Sequence, residues 1–323
     1  MNILITGGLG FIGSNLVEYL LSKKTVKKII IVDNFSKSST KYLDMITKYN
    51  LFSSAKSYKR SSSRVEIIRA DINNKEFAFK VTKKIDYIVH LAAESGVDIS
   101  ISKPYESFQT NVLGAYNYIE ASRLNRVKRF IFASSGAVFG NSKPPLKESN
   151  NRAPISPYGS SKLTIETFCE TYGNVFDINT TILRFSNAYG PYALHKQSII
   201  SKFITNILTN KPIIVNGNGS ITRDYVHVSD ICNAIYKSIK DRNGTKTYHV
   251  GTGKETSIKQ LIKILKTRCF GYDINIKYGL DRVGDMKKNY TSITKINKDL
   301  NWTPKISLVK GLSLTFKWFL SQK

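Results

Sequence analysis

Short apolar runs alternate with longer amphipathic stretches through the first half of this chain. Residues 2–6, NILIT, form a buried-strand pattern, followed by Gly7-Gly8-Leu9-Gly10-Phe11-Ile12-Gly13 and a helical pattern at Leu16, Val17, Leu20 and Leu21. A second apolar run, Lys28 to Val32, ends on Asp33. Further strand patterns cover Val65–Ile68, Ile85–His90, Phe130–Ala133 and Thr180–Phe185, and helical patterns cover about 106–121 and 158–174. Strands alternating with helices at this spacing predict an α/β fold with a parallel, doubly wound sheet. Residues 36–64, rich in Ser, Lys and Tyr, read as a loop with at most one helix. Beyond 180 the pattern is less regular. It predicts helices over about 198–208, 229–240, 257–268 and 308–321, and a strand at Ile213–Val215 running into the turn Asn216-Gly217-Asn218-Gly219. The division expected is 1–180 for a dinucleotide-binding domain and 181–323 for a mainly substrate-binding lobe, later segments returning to the first domain.

A glycine fingerprint by itself is a weak signal. Here it lies between a strand and a helix, and Asp33 follows Gly13 by twenty residues at the end of the next strand. That is the setting a bound dinucleotide requires. Glycines let the backbone approach a pyrophosphate, and the helix N-terminus stabilises its charge. Asp33 would bind the adenosine ribose hydroxyls and repel a 2′-phosphate, which favours NAD over NADP. The small residues of His90-Leu91-Ala92-Ala93 suit a chain passing close to the cofactor.

Strand 130–133 runs into Ser134-Ser135, then a polar loop with prolines at 144, 145, 154 and 157, then Tyr158-Gly-Ser-Ser-Lys162 at the head of a helix. Tyr and Lys four apart share a helical face. A nearby ammonium favours the phenolate, so the pattern predicts a tyrosine with a lowered pKa serving as a general base.

Composition narrows the class. With 323 residues, 41 % hydrophobic and 22 % charged, the chain has the make-up of an ordinary enzyme large enough for two lobes. Cys169, Cys232 and Cys269 are far apart with no CxxC pair, which argues against a disulfide framework or a metal site and fits a reducing, cytoplasmic setting. The N-terminus enters strand and glycine loop directly, so no signal peptide is expected, and no apolar run reaches membrane-spanning length. Net charge is +26, but the basic residues are scattered. A generally basic surface that attracts an anionic small substrate is the expectation, with no nucleic-acid or membrane partner.

The chain resembles the extended short-chain dehydrogenases/reductases of the nucleotide-sugar epimerase/dehydratase group. The matching segments run through the whole length: TGGLGFIG at 6–13, VDN at 32–34, RADI at 69–72, HLAA at 90–93, NVLGAYN at 111–117, SSGAVFG at 134–140, YGSSK at 158–162, LRFSNAYGPY at 183–192, GNGSITRDYVHVSD at 217–230 and RVGD at 282–285. The resemblance implies a Rossmann-type lobe with a smaller C-terminal substrate lobe, tightly held NAD and a nucleoside-diphosphate sugar, UDP being the family's usual nucleotide. It implies Ser135, Tyr158 and Lys162 as the catalytic set. It also implies cofactor contacts from Gly7, Gly10, Phe11, Ile12, Gly13, Asp33, Asn34, Asp71, Ile72, Leu91, Ala92, Ala93, Asn111, Tyr158 and Lys162. Substrate contacts follow at Ser134, Asn187, Arg223 and Arg282, and a homodimer would pack the helices near 106–121 and 158–174.

Members of this group begin by oxidising the sugar at C4. Family 4,6-dehydratases carry an Asp-Glu pair directly after the position of Ser135, and decarboxylases commonly keep the Glu. This chain has Gly136 and Ala137, which transfer no proton. The resemblance therefore implies 4-epimerisation, with 4,6-dehydration or decarboxylation as the alternative within the family and an NAD-binding sensor or scaffold as the non-enzyme alternative. Ser186–Tyr192 and Val97–Ser102 resemble dehydratase segments. In 4-epimerases resembling this chain, the residue seven positions after the phosphate arginine of RxGD borders the sugar C2 substituent. Counting from Arg282 gives Asn289, small enough to leave room for an N-acetyl group and able to hydrogen-bond it.

Overall fold

The computed structural model describes residues 1–196, 198–241, 244–269, 271–280 and 287–323. Seven strands are taken in chain order: β1 Asn2–Thr6, β2 Lys28–Asp33, β3 Asn50–Phe52, β4 Val65–Arg69, β5 Tyr87–His90, β6 Arg129–Ser135 and β7 Thr180–Phe185. With Lys246–Val250 they form one eight-stranded sheet in the order Lys246–Val250, β7, β6, β5, β1, β2, β4, β3. Every neighbouring pair is parallel. The strand order reverses between β1 and β5, as in a Rossmann-type doubly wound fold.

A sheet covered on both faces needs apolar residues at consecutive positions, which is why its strands read as continuous runs rather than alternations. In β1, Ile3 and Ile5 join one buried cluster and Leu4 the other. The second face is packed by helices Lys75–Thr82, Ala115–Leu124 and Pro157–Phe176, which contribute Phe77, Tyr118, Ile119 and Ile165. The first face continues without a break into the C-terminal part of the chain, through Ile204, Ile231, Leu261 and Phe316.

Two elements bring later sequence back to the sheet. Helix Val228–Lys240 lies against helix Phe11–Leu21 and strands β6 and β7, and Lys246–Val250 pairs with β7. Among the described residues the remaining C-terminal strands make three small pairs. Asn187–Tyr189 runs parallel to Tyr225–His227, Ile213–Asn216 runs parallel to Ile276–Gly279, and Thr222–Arg223 opposes Thr256–Ser257.

Two expectations change in detail. The 36–64 stretch supplies an edge strand, β3, besides a short helix at Lys41–Asp44. The helix expected over 106–121 is a composite of an α-turn at Pro104–Phe108, a π-turn at Gln109–Gly114 and an α-helix at Ala115–Leu124. π-turns are frequent at functional sites, and this one carries Asn111.

Candidate active site

The glycine loop sits where the strand order reverses. Gly7 N donates to Val32 O at 2.8 Å, and Gly7 has φ +67°. A β-carbon there would stand 2.7 Å from Ala92 N, so the loop and the chain after β5 close on each other. Helix Phe11–Leu21 starts behind Gly10 with no side-chain cap, leaving its first-turn N–H groups without a side-chain acceptor. Asp33, 6 % exposed, accepts from Leu9 N at 3.1 Å, Phe35 N at 3.0 Å and the Ser38 hydroxyl at 2.9 Å. Its carboxylate therefore stands against the glycine loop at the end of β2. A close-approach loop, an uncapped helix start and an acid at this place fit NAD, the adenosine end lying by Asp33.

The other expected cofactor residues differ in setting. Phe11 and Ile72 are buried, Ile12 is partly buried, and Leu91, Ala92 and Ala93 are half-buried along the crevice. Asn34 accepts from Ser36 N at 3.0 Å, and exposed Asp71 accepts from Asn73 N at 2.8 Å. Asn111, expected to face the cofactor, is 1 % exposed and engages protein groups instead. Its oxygen accepts from Glu94 N at 2.7 Å, and its amide donates to Glu94 O at 3.1 Å and to the Ser161 hydroxyl at 3.1 Å. It clamps the loop after β5 to the Tyr158 helix.

That helix starts by local logic. Ser156 caps it, accepting from Gly159 N at 3.1 Å, and Pro157 occupies the first turn, where no N–H is needed. Tyr158 N is held by the Ser100 hydroxyl at 3.1 Å. The three residues of the expected catalytic set do come together. The Ser135 hydroxyl stands near enough to the Tyr158 phenol to act on its pKa, and it accepts from Ala137 N at 3.2 Å. Lys162 Nζ lies 5.8 Å from the Tyr158 ring centroid and donates to Ala133 O at 2.8 Å.

The electrostatics correct one expectation. Tyr158 is partly exposed, but burial of its phenol raises the pKa above the ordinary value of 10, with neighbouring Ser135 working against the rise. Lys162, 4 % exposed, is pushed down to about 8 by burial, with Glu166 opposing. The lysine is turned toward a carbonyl rather than pressed onto the phenol, and desolvation dominates the phenol.

Ser134, expected among the substrate contacts, is engaged within the protein. It is 4 % exposed and donates to Glu166 Oε1 at 2.5 Å. Its hydroxyl is engaged by the protein rather than directed to a ligand.

On the substrate side, exposed Asn187 opens the strand paired with Tyr225–His227, and its amide donates to Asp224 O at 3.3 Å. Arg223, half-buried, donates to Thr222 O at 2.8 Å. Between these segments lies Asp224, to which sequence reasoning assigned no role. It is 1 % exposed and accepts from Thr252 N at 2.8 Å, the Thr252 hydroxyl at 2.6 Å, Gly253 N at 3.2 Å and the Thr291 hydroxyl at 3.1 Å. One carboxylate thus joins Arg223, the 251–253 loop and the 289–292 segment. The signal was present: an acid inside the RDYVHV run, where strand pattern predicts burial. Half-buried Asn289 precedes Tyr290, whose carbonyl accepts from Leu146 N at 2.9 Å, so this segment runs beside the loop that follows Ser135. Arg282 lies outside the described residues. Among the described residues no His/Cys/Asp/Glu group could hold a metal, and no helix is long and apolar enough to cross a membrane.

A dinucleotide crevice at the reversal of a parallel sheet, beside a Ser-Tyr-Lys cluster, defines an extended short-chain dehydrogenase/reductase. Residues 4–315 match the family described as GDP-mannose 4,6 dehydratase, and the chain belongs to this family of nucleotide-sugar epimerases and dehydratases. It is 33 % identical over 321 residues to a putative UDP-glucose 4-epimerase of Methanocaldococcus jannaschii, covering 98 % of this chain and 97 % of that protein. The structure is similar to a UDP-N-acetylglucosamine 4-epimerase from Methanobrevibacter ruminantium M1, solved with UDP-N-acetylmuramic acid, at 30 % identity and TM-score 0.89, covering 100 % and 99 % of the two chains. It is equally close in shape, TM-score 0.89 at 28 % identity, to a dTDP-glucose 4,6-dehydratase from Streptomyces venezuelae with NAD and TYD bound, covering 99 % and 97 %.

Proposed function

We propose that this protein is an NAD-dependent nucleotide-sugar 4-epimerase acting on UDP-sugars of the UDP-glucose and UDP-N-acetylglucosamine type. The observation that carries the choice of reaction is the pair Gly136-Ala137 directly after Ser135. These residues form a 3₁₀ turn whose Ala137 N is fastened to the Ser135 hydroxyl. They offer no acid and no base, so removal of water across C5–C6 has no catalyst at that place, while oxidation at C4 keeps its full set of groups.

In the reaction, the Ser135 hydroxyl hydrogen-bonds the sugar C4 oxygen and Tyr158 takes its proton. NAD, when bound, would supply the hydride acceptor and donor. Lys162 stabilises the phenolate and binds the nicotinamide ribose. Tyr158 later returns the proton as the keto sugar, presented by its other face, is reduced. Asn187, Arg223 and Arg282 hold the diphosphate and nucleotide ribose, guanidinium forks being suited to phosphate. Asn289 borders the C2 substituent and leaves room for N-acetyl.

A homodimer through helices 106–121 and 158–174 accompanies this reading. Tyr105, Phe108, Leu113 and Val175 are exposed large apolar residues on or next to these helices, as a buried interface would require. A cytoplasmic location fits the three buried free thiols.

The test is redox balance. With UDP-glucose or UDP-N-acetylglucosamine, C4 epimer should accumulate over many turnovers with no net NADH at 340 nm. Stoichiometric NADH would replace the epimerase reading with that of a net dehydrogenase.

A further inference from the structure

The end of β6 and the Tyr158 helix meet residue by residue. Ala133 O accepts from Lys162 Nζ at 2.8 Å, Ser134 donates to Glu166 Oε1 at 2.5 Å, and the Ser135 hydroxyl stands near the Tyr158 phenol. Tyr158, Lys162 and Glu166 fall at i, i+4 and i+8 and so share one helical face. Three consecutive strand residues therefore face three successive positions of that helix, two of them through hydrogen bonds, and the central link, Ser134 to Glu166, is the one outside the reacting groups.

The central link is anchored from a third element. Arg184 on β7 grips Glu166 with Nε at 2.9 Å and Nη2 at 2.7 Å. Glu166 and Arg184 are 0 % and 1 % exposed. A buried ion pair loses in desolvation much of what it gains in attraction, and apolar residues of similar size often serve stability as well. Stability alone is thus a poor reason for this pair. Its geometry, with Ser134 between Ala133, which holds Lys162, and Ser135 of the proposed catalytic set, supplies a better one.

We propose that Glu166, held by Arg184, is a positioning residue: through Ser134 it fixes the main chain on which Ser135 and the Lys162 ammonium are seated. This rests on the catalytic reading of Tyr158 and Lys162 above. The charge of Glu166 also favours the protonated form of Lys162, which burial opposes. The other groups facing this pair are Arg152 from the preceding loop, Glu170 and Cys169 on the same helix, His90 on β5 and Tyr158 itself. Arg184 in turn faces His249. None of these replaces a carboxylate one helical turn from Lys162.

Two variants and two readouts test it. In Glu166→Gln, an NMR titration of ¹⁵N-labelled lysine in substrate-free protein should place the Lys162 midpoint roughly one pH unit lower than in wild type. The high-pH limb of kcat should move down with it. In Ser134→Ala the ion pair stays. NAD affinity should hold within about twofold while kcat falls about tenfold at unchanged KM, because a small misplacement of reacting groups costs rate rather than binding. Ser134→Thr should recover most of the loss. An unmoved Lys162 midpoint in folded Glu166→Gln, or wild-type kcat in Ser134→Ala, overturns the inference. Should Glu166→Gln not fold, Ser134→Ala decides it. Absence of wild-type turnover on every UDP-sugar would sink the epimerase reading instead, leaving the lysine titration to judge Glu166.

Discussion

Replacing Gly13 with alanine should damage both the fold and the cofactor crevice through one added methyl group. A β-carbon at Gly13 would lie 2.5 Å from Gly7 O, 2.5 Å from Gly8 Cα and 2.6 Å from Gly8 C. Ordinary carbon contacts are about 3.5–4.0 Å, so the overlap is roughly 1 Å with three main-chain atoms at once. No side chain can rotate away. Relief requires the Gly7–Gly10 loop to separate from the start of its helix. Overpacking of this kind costs about 1–3 kcal/mol, and the rigidity of all three neighbours puts Gly13→Ala near the upper end. The same displacement moves the loop amides from a pyrophosphate, so NAD binding should weaken by at least about tenfold, or about 1.4 kcal/mol. Urea denaturation measures the first effect and an NAD titration by tryptophan fluorescence the second. Gly136→Ala is the control, because a β-carbon there meets only Leu146 Cδ1, at 4.0 Å; its stability should stay within about 0.5 kcal/mol of wild type. Wild-type stability and NAD affinity in Gly13→Ala would refute the steric account of the crevice.

Three further outcomes are expected. Tyr158→Phe should fold and bind NAD but lose about 10²–10⁴-fold in turnover, the usual weight of a general acid–base group; near-normal activity would remove Tyr158 as the base. Asn289→Tyr should depress the N-acetylated substrate selectively, since bulk at C2 excludes the extra group and leaves C4 untouched; equal losses on UDP-glucose and UDP-N-acetylglucosamine would take Asn289 out of the pocket. Burial pushes His90 and His249 down to about 3 and His227 to about 4. Below their ordinary pKa of 6.5 the unfolded chain therefore binds more protons, and stability should fall as pH drops from about 6.5 toward 4. Flat urea midpoints across that window would contradict the neutral burial of these rings.

The sheet strands and the glycine crevice were legible because fully buried strands and close-approach loops leave strong local marks. β1 reads NILIT between a start and a glycine turn, and Asp33 announces the end of β2. The long helix was legible from its pattern over 158–174, and the structure starts it one residue earlier, with Ser156 as the cap and Pro157 in the first turn. The strand β3 was not, because Asn50–Phe52 is a largely exposed three-residue edge held by pairing to β4, a contact that local pattern does not encode. Nor was the π-turn around Asn111, whose inward side chain depends on the loop at Glu94. In the site, motif spacing brought Ser135, Tyr158 and Lys162 together correctly. It gave the wrong direction for the Tyr158 pKa because spacing on a helix carries no information about desolvation. The bond of Ser134 to Glu166 was not legible for a related reason. Two adjacent serines at a strand end look alike in sequence, and only the packing against Glu166, 32 residues away, separates them.

The central claim is 4-epimerisation without elimination, and product analysis tests it most directly. NAD-loaded protein should be incubated separately with UDP-glucose, UDP-N-acetylglucosamine, UDP-glucuronate and dTDP-glucose, and the sugars followed by proton NMR. The account predicts the anomeric signal of the C4 epimer from at least one UDP-sugar, and no methyl doublet at C6 from any of them. A 4-keto-6-deoxy product, seen by that methyl signal, would contradict it and assign dehydration to a site that places Gly136 and Ala137 after its serine.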